Sequence, residues 1–251
     1  MPNYTVEAVV LKRSDFGEKD RLLTLLSPSH GKIRAIAKGV RRPGSRQAGH
    51  LELFAHAKVY LAEGRNLDII TQAETLASHH LIRTDLGMLS LAYYIAELGD
   101  ALSVEDEKNY PLFSLVKSAF SQIGGSVDHS SLITWFEMTL LDIIGYRPDL
   151  EHCAVCATPL GISAGICRDI GGLVCCNCTP HGGHLVSLSG QSMQGLRGVQ
   201  LSSTWTASAD SEAVREEMRL VARHFVTHVM QRELRAEQFM WNVQKLQAIP
   251  V

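Results

Sequence analysis

The sequence predicts an α+β chain of more than one domain, with a five-stranded β-barrel at the N-terminus and an α-helical domain interrupted by a cysteine-bearing insert. Three observations carry this reading. Five short β-type runs crowd the first 75 residues, separated by turn residues. After residue 78 the apolar residues recur at helical spacing instead. Residues 150–186 lose all period and gain cysteine and glycine. A length of 251 residues with 45% hydrophobic and 20% charged content is that of a globular chain and excludes wholesale disorder.

The first run, Tyr4–Arg13, is rich in Thr and Val and ends at Ser14-Asp15-Phe16-Gly17. Arg21–Leu26 is closed by Ser27-Pro28-Ser29-His30-Gly31, and Ile33–Ala37 alternates around Arg34. Leu51–Ala62 is broken by Glu63-Gly64-Arg65-Asn66, and Leu67–Thr75 completes the set. Five strands in this length fit a small closed barrel, of which the OB-fold is the five-stranded form. An SH3-like barrel and a half-open sandwich fit the same count. Between the third and fourth runs, Lys38–His50 holds three glycines, one proline and four cations. It reads as a mobile, positively charged loop that buries little.

Leu86, Leu89, Tyr93, Ala96 and Leu102 mark the first helix. Asn109 precedes a second, with Pro111 near its first turn and a stop at Gly124-Gly125. Asp128 can cap a third, running through Trp135, Phe136, Leu140 and Ile143 to Gly145. After the insert, Ser208, Asp210 or Ser211 supplies the N-cap of a long helix carrying Val214, Met218, Val221, Phe225 and Met230. The expected domains are 1–78 for the barrel, 79–149 for the first helical part, 150–186 for the insert and 187–251 for the second helical part.

The net charge of −2 hides an asymmetry. The first 50 residues hold ten cations against four acids, a net +6, so the remainder carries −8. A basic barrel suits an anionic partner. Lys12, Arg13, Lys32, Arg34, Lys38, Arg41, Arg42 and Arg46 are the candidate nucleic-acid-binding side chains, because phosphates require positive charge but no base code. Only Tyr4, Phe16, Phe54 and Tyr60 offer aromatic faces in the barrel region, so electrostatics should dominate. Tyr93-Tyr94 and Trp135-Phe136 read as helix core and groove wall rather than as base-stacking platforms. The competing reading is a scaffold whose basic barrel binds an acidic protein. No apolar run reaches membrane-spanning length, and Met1–Glu7 lacks the basic start and apolar core of a secretory signal, so a cytoplasmic protein is expected.

Six cysteines without a signal peptide favour metal or free thiols over disulfides. Cys153 and Cys156 form one Cys-x-x-Cys pair; 18 residues later Cys175 and Cys178 form another. Each pair makes a tight turn that aims two sulfurs at one point, and the spacing is that of a four-thiolate zinc site. Four thiolates leave no open position, so one structural Zn²⁺ per chain is expected. Cys167 and Cys176 are left over, and His152, His181 and His184 flank the site as possible substitutes. Gly161, Ser163 and Gly165 match a nucleophile-elbow pattern, but within a metal knuckle rather than a strand-turn-helix. His224 and His228 lack the glutamate of a zinc-protease helix, and no phosphate-binding glycine loop is present. No catalytic residue is predicted.

Several segments then appear in a telling order. They are Ala8-Val9-Val10-Leu11-Lys12, the stretch Gly31–Gly39, Tyr94–Leu98, Gly145–Leu150 leading into the first cysteine pair, Gly171–Cys175 and Arg232–Arg235. Together they cover nearly the whole chain, which resembles the RecO family of bacterial recombination mediators. It departs from that pattern at Ala157-Thr158, where glycine is commoner, and in the Cys175-Cys176 doublet. The resemblance implies an N-terminal OB-fold, a helical domain and a zinc-binding insert. It implies a non-catalytic role in DNA repair and recombination, with binding of single- and double-stranded DNA, strand annealing and a nucleoid-associated place in the cytoplasm. The implied partners are RecR, the C-terminal tail of single-stranded DNA-binding protein and, indirectly, RecA. An acidic, apolar tail needs an apolar slot with a cation at its mouth. A groove between the 84–103 and 130–144 helices, or nearby C-terminal helices, is expected to supply it, with Arg83 and Arg147 as the candidate cations.

Overall fold

The computed structural model describes residues 2–125, 128–161, 164–167, 170–178, 185–202, 204–206 and 210–247. Five strands, β1 (Asn3–Phe16), β2 (Asp20–Ser27), β3 (Gly31–Ala37), β4 (His56–Ala62) and β5 (Asp68–Ala77), close into a barrel in the order β1-β2-β3-β5-β4. β4 returns to β1, and β3 runs parallel to β5 while the other pairs are antiparallel. This is the five-stranded OB arrangement. β3 shows the alternation that builds it. Ile33, Ala35 and Ala37 point inward, while Lys32 and Arg34 point out.

β1 breaks the alternation. Val9, Val10 and Leu11 are all buried, because the register on β2 shifts between Val10 and Lys12 and Leu11 is left over as a bulge. Helix α1 covers that point. The helices are α1 (Leu86–Leu102), α2 (Tyr110–Ile123), α3 (His129–Ile143), α4 (Gly190–Leu201), α5 (Glu212–Met230) and α6 (Arg235–Gln247). At Gly99 of α1, an added Cβ would stand 3.3 Å from a Val116 methyl and 3.7 Å from the Leu11 methyls. The glycine lets α1 approach α2 and the bulge closely.

The chain divides into two compact units, 1–126 with 234–251, and 127–233. The division therefore runs through the helical sequence, whereas the sequence reading places its boundaries at 78, 149 and 186. Within the first unit α1 packs on α2 and α6. Within the second, α3 packs on α4 and α5. N-caps follow the sequence signals at α2, α3 and α5: Asn109 and Asp128 accept backbone N–H groups at the starts of α2 and α3, and Ser211, of the three candidates, caps α5. Asp85, which the sequence reading did not single out, caps α1.

The differences from expectation are local. Helix α4 contains Gly190, Gly195 and Gly198, each costing roughly 1 kcal/mol of intrinsic helix preference, and it forms because Met193 and Leu196 are buried. A Cβ at Gly195 would stand 2.6 Å from the Met218 sulfur, so this glycine also admits α5. Three four-residue strands, β6 (Ala164–Cys167), β7 (Gly172–Cys175) and β8 (Leu185–Leu188), form an antiparallel sheet in the order β7-β6-β8. They are too short to show a period. The fourth barrel strand starts at His56 rather than Leu51, because Ala48–Leu51 is a 3₁₀ turn and Phe54 takes φ +67. Such a value is an outlier for a bulky residue. It is held by an N–H from Phe54 to the Val10 carbonyl (2.9 Å) and from Val10 to the Ala55 carbonyl (3.0 Å).

The 38–50 segment is also better anchored than expected. Val40 is buried, Gly39 donates to the Asp20 carboxylate at 2.7 Å, Arg41 N–H donates to Lys19 O at 3.0 Å, and Gln47 Nε2 donates to Thr71 O at 2.6 Å. Its turns are fastened to the β1–β2 turn and to β5.

His79 follows the last barrel strand in a left-handed conformation (φ 43), its ring 6.4 Å from that of Phe120. Burial above all, then the charges of His56 and Arg83, lower its pKa from 6.5 to about 4. The folded protein thus holds a neutral imidazole that the unfolded chain protonates more readily. Its contribution to stability is whole above pH 6.5 and is lost as pH falls toward 4. His79→Asn tolerates the left-handed backbone and does not titrate. Thermal melts between those pH values should show a shallower loss of Tm for this variant than for the parent protein.

Candidate nucleic-acid surface and metal centre

The first cysteine pair sits in a tight turn in which Ala157 N–H donates to the Cys153 carbonyl at 2.9 Å. Ala154 N–H donates to the Leu173 carbonyl at 2.8 Å, which pins this turn to β7. Cys175 ends β7, and Cys178 closes the 3₁₀ turn Cys176–Cys178. The result brings the sulfurs of Cys153, Cys156, Cys175 and Cys178 within 4.8 Å of one another. The Cys156 and Cys175 sulfurs are 3.8 Å apart. A tetrahedron with Zn–S bonds of about 2.3 Å has edges of roughly the same length, so the geometry fits a four-thiolate ion.

The electrostatics point the same way. Burial pushes the Cys153 thiol up, but N–H groups from residues 156, 175 and 155 outweigh it and bring the pKa down to about 6. Hydrogen bonds with the Cys156 and Cys175 sulfurs push the Cys178 thiol up to about 12. Crowded thiolates oppose one another's charge until a cation neutralises them. Ala157 takes φ +56, a conformation glycine adopts more easily, which gives the departure at this position a physical cost. The Thr158 hydroxyl lies 3.0 Å from the Cys156 sulfur.

The remaining candidates fall elsewhere. Cys167 is buried in β6 and Cys176 is exposed. The His152 ring pairs with Asp149 at 3.2 Å. His181, His184 and Ser163 lie outside the described residues, while Gly165 belongs to β6. His224 and His228 lie on α5, and an added Cβ at Gly171 would be 2.9 Å from the His228 ring. Among the described residues the four cysteines are the only cluster arranged to hold a metal.

The eight barrel cations divide into two groups. Asp100 of α1 pairs with both Lys12 and Lys32. Burial opposes its ionisation, but the two ammonium groups hold its carboxyl below the usual range. Arg13 pairs with Glu52, which also meets Arg21 at 3.5 Å. Arg41 lies 3.1 Å from Asp15 and donates to the Gly17 carbonyl, so its charge serves the fold, contrary to the expectation for this loop. Arg34, Lys38, Arg42 and Arg46 are exposed and have no ion pair among the described residues. Because Arg41 N–H is tied to Lys19 O, exposed Lys19 joins Lys38 and Arg42 at one end of the barrel. Sequence reasoning missed Lys19, since only the folded turns place it there. On the barrel face, Lys12 and Arg34 both pair in register with Thr24 of β2, forming one row across three strands.

The two candidate partner cations also differ. Arg83 donates to the Leu53 and Ser78 carbonyls at 2.8 and 3.0 Å. Arg147, half exposed, lies 3.6 Å from Asp142. Of the aromatic pairs, Tyr94, Trp135 and Phe136 are buried, and Tyr93 is half-buried and lines a groove, in line with the core and groove-wall reading.

Comparison with known proteins agrees with this architecture. Residues 1–79 match the family described as Recombination protein O N terminal, and residues 83–238 match Recombination protein O C terminal. The chain is 35% identical over 247 residues to the DNA repair protein RecO of Roseiflexus sp. (strain RS-1), covering 97% of this chain and 87% of that protein. It is 31% identical over 245 residues to the protein of the same name from Pelotomaculum thermopropionicum, covering 96% and 94%. It is 36% identical over 245 residues to that of Cutibacterium acnes, covering 94% and 98%. No helix among the described residues is long and apolar enough to cross a membrane.

The cluster makes a direct prediction. The purified protein should carry about one tightly held metal ion per chain, released by thiol-modifying reagent. Cys153→Ser should lose it and lower the Tm, because a metal bound only by the folded state stabilises that state. Cys176→Ser should keep it. Metal analysis by plasma spectrometry, paired with thermal melts, reads all three.

Proposed function

The chain belongs to the Recombination protein O family and so has a role in DNA repair and recombination, and on that premise we propose that it is a non-catalytic mediator that binds single- and double-stranded DNA. One observation carries the DNA reading. Lys19, Lys38, Arg42 and Arg46 lie exposed on the β1–β2 turn and the 38–50 segment, with Arg34 on the neighbouring face. Exposed cations that form no ion pair among the described residues are stabilised by a polyanion, and phosphates accept them without regard to base. Lys12, Lys32, Arg13 and Arg41 contribute less, since nearby carboxylates already neutralise them.

The metal is proposed to be Zn²⁺, the ion suited to four thiolates. It would be held by Cys153, Cys156, Cys175 and Cys178 and would fix the two turns and β7, with no open position for chemistry. The resemblance also supports partnership with RecR and with the tail of single-stranded DNA-binding protein in RecA loading and strand annealing. Of the two cations offered for the tail, Arg147 is the more available and Arg83 is held by carbonyl groups.

Two measurements test this. Replacing Lys38, Arg42 and Arg46 together with Ala should weaken binding to all single-stranded sequences alike and flatten the log–log salt slope by about 2, with little change in Tm. An unchanged slope would place DNA elsewhere; complete absence of DNA binding by the parent protein would favour an acidic protein partner. For a fluorescent tail peptide, Arg147→Ala should reduce affinity several-fold. Arg83→Ala should instead lower the Tm, because two carbonyl groups lose their donor.

A further inference from the structure

Beside the barrel's cation row lies a slot of about 420 Å³ that the function above does not use. Tyr93 of α1 and Phe239 of α6 line it as an edge-to-face pair, centroids 6.2 Å apart, so a ligand meets their open faces rather than entering between the rings. Ala96 and Ala236 line it beside them with small side chains. Phe239 is 37% exposed, which is unusual for a phenylalanine packed between helices. The Tyr93 hydroxyl has no hydrogen-bond partner among the described residues.

Two cations flank the slot. Lys12 on one side is paired with Asp100, while Arg235 on the other is exposed and without an ion pair among the described residues. The single acid lining the slot, Glu97, is engaged, accepting the Arg235 and Ala236 backbone N–H groups at 3.3 and 2.7 Å as the cap of α6. A second cavity of about 240 Å³ shares Leu11, Lys12 and Tyr93 with the first and extends along the barrel to Arg34. The slot is therefore continuous with the row Lys12–Thr24–Arg34.

The Tyr93 ring is held from behind. Phe54 packs edge-on against it at 5.3 Å, fully buried and fixed at its positive φ by the two Val10 hydrogen bonds. Strain of this kind persists where surrounding structure enforces it, and here the strained residue packs behind the half-buried Tyr93 ring.

We propose that this slot is a stacking subsite for one or two unpaired bases of a single strand whose phosphates meet the unpaired cations Arg235 and Arg34 at its two ends; the inference rests on the DNA-binding reading above. Stacking on aromatic faces tolerates any base, and Tyr93 and Phe239 offer no set of donors and acceptors to distinguish one base from another. Duplex DNA cannot use the slot, because its bases are stacked on one another. The subsite would thus favour single strands over duplex, while the cationic end of the barrel serves both.

The test uses the full-length protein with a mixed-sequence oligonucleotide and its duplex form. Tyr93→Leu and Phe239→Leu keep apolar bulk and remove the rings. Each should weaken single-strand binding about tenfold, the order expected for loss of a stacked base. Duplex affinity and the salt slope should stay as they were, since no phosphate contact is removed. Tyr93→Phe should bind as the parent does, because the ring and not the hydroxyl is used. A 5-iodouracil-substituted single strand should crosslink on irradiation to Tyr93 or Phe239, identified by peptide mass spectrometry. Parent protein that binds single strands, with both leucine variants matching it and no crosslink at either ring, would overturn the subsite and leave the DNA reading intact. Failure of the parent to bind DNA at all would overturn both. If an acidic, apolar peptide crosslinks to the slot without displacing the oligonucleotide, the slot is a peptide groove and the proposal is wrong.

Discussion

The docking of α1 on the bulge of β1 is the contact on which the first unit depends. Leu11 is the extra residue of the bulge, and Gly99 gives α1 room to close over it. That approach buries a second face of β1, which explains why Val9, Val10 and Leu11 are apolar in succession rather than alternating. It also brings Asp100 onto Lys12 and Lys32. The barrel's charge is therefore partly neutralised by the helix that completes its packing. A surface that looks uniformly basic along the sequence becomes, in the fold, a neutralised side and a free end.

In the second unit the equivalent constraint is the four-cysteine cluster. Four-residue strands are below the usual length for independent stability. The β7-β6-β8 sheet is joined to the cluster through Cys175 at the end of β7, and the first cysteine turn is pinned to β7 at Leu173. An ion bound at the sulfurs would tie both turns to one strand. Its binding energy would then act as folding energy for the insert. The raised pKa of Cys178 reflects the crowding of its sulfur by Cys156 and Cys175, whereas backbone N–H groups favour the Cys153 thiolate.

The aromatic side chains show how a residue can serve both packing and exposure. Tyr93 and Tyr94 are neighbours on α1 and look equivalent in sequence. Successive helical residues point about 100° apart, so one is buried at 1% exposure while the other opens on a cavity. Phe239 comes from a helix 146 positions further along the chain and meets Tyr93 only because α6 returns to pack on α1. The link between them is the capping of α6 by Glu97, which lies one helical turn beyond Tyr93.

Much of this protein was determined locally and was therefore visible in the sequence. The five barrel runs, the caps Asn109, Asp128 and Ser211, and the paired cysteines all rest on interactions between residues close in the chain. Three things were decided only by tertiary structure. Which candidate cations are neutralised depended on carboxylates distant in sequence, as with Arg41 at Asp15 and Lys12 at Asp100. Helix α4 and strands β6 to β8 formed against their weak local signals, because burial and long-range pairing outweigh intrinsic preference. Finally, the return of α6 to the first unit created the aromatic slot, which no window of sequence contains, because its two walls are set by how two distant helices pack on one strand.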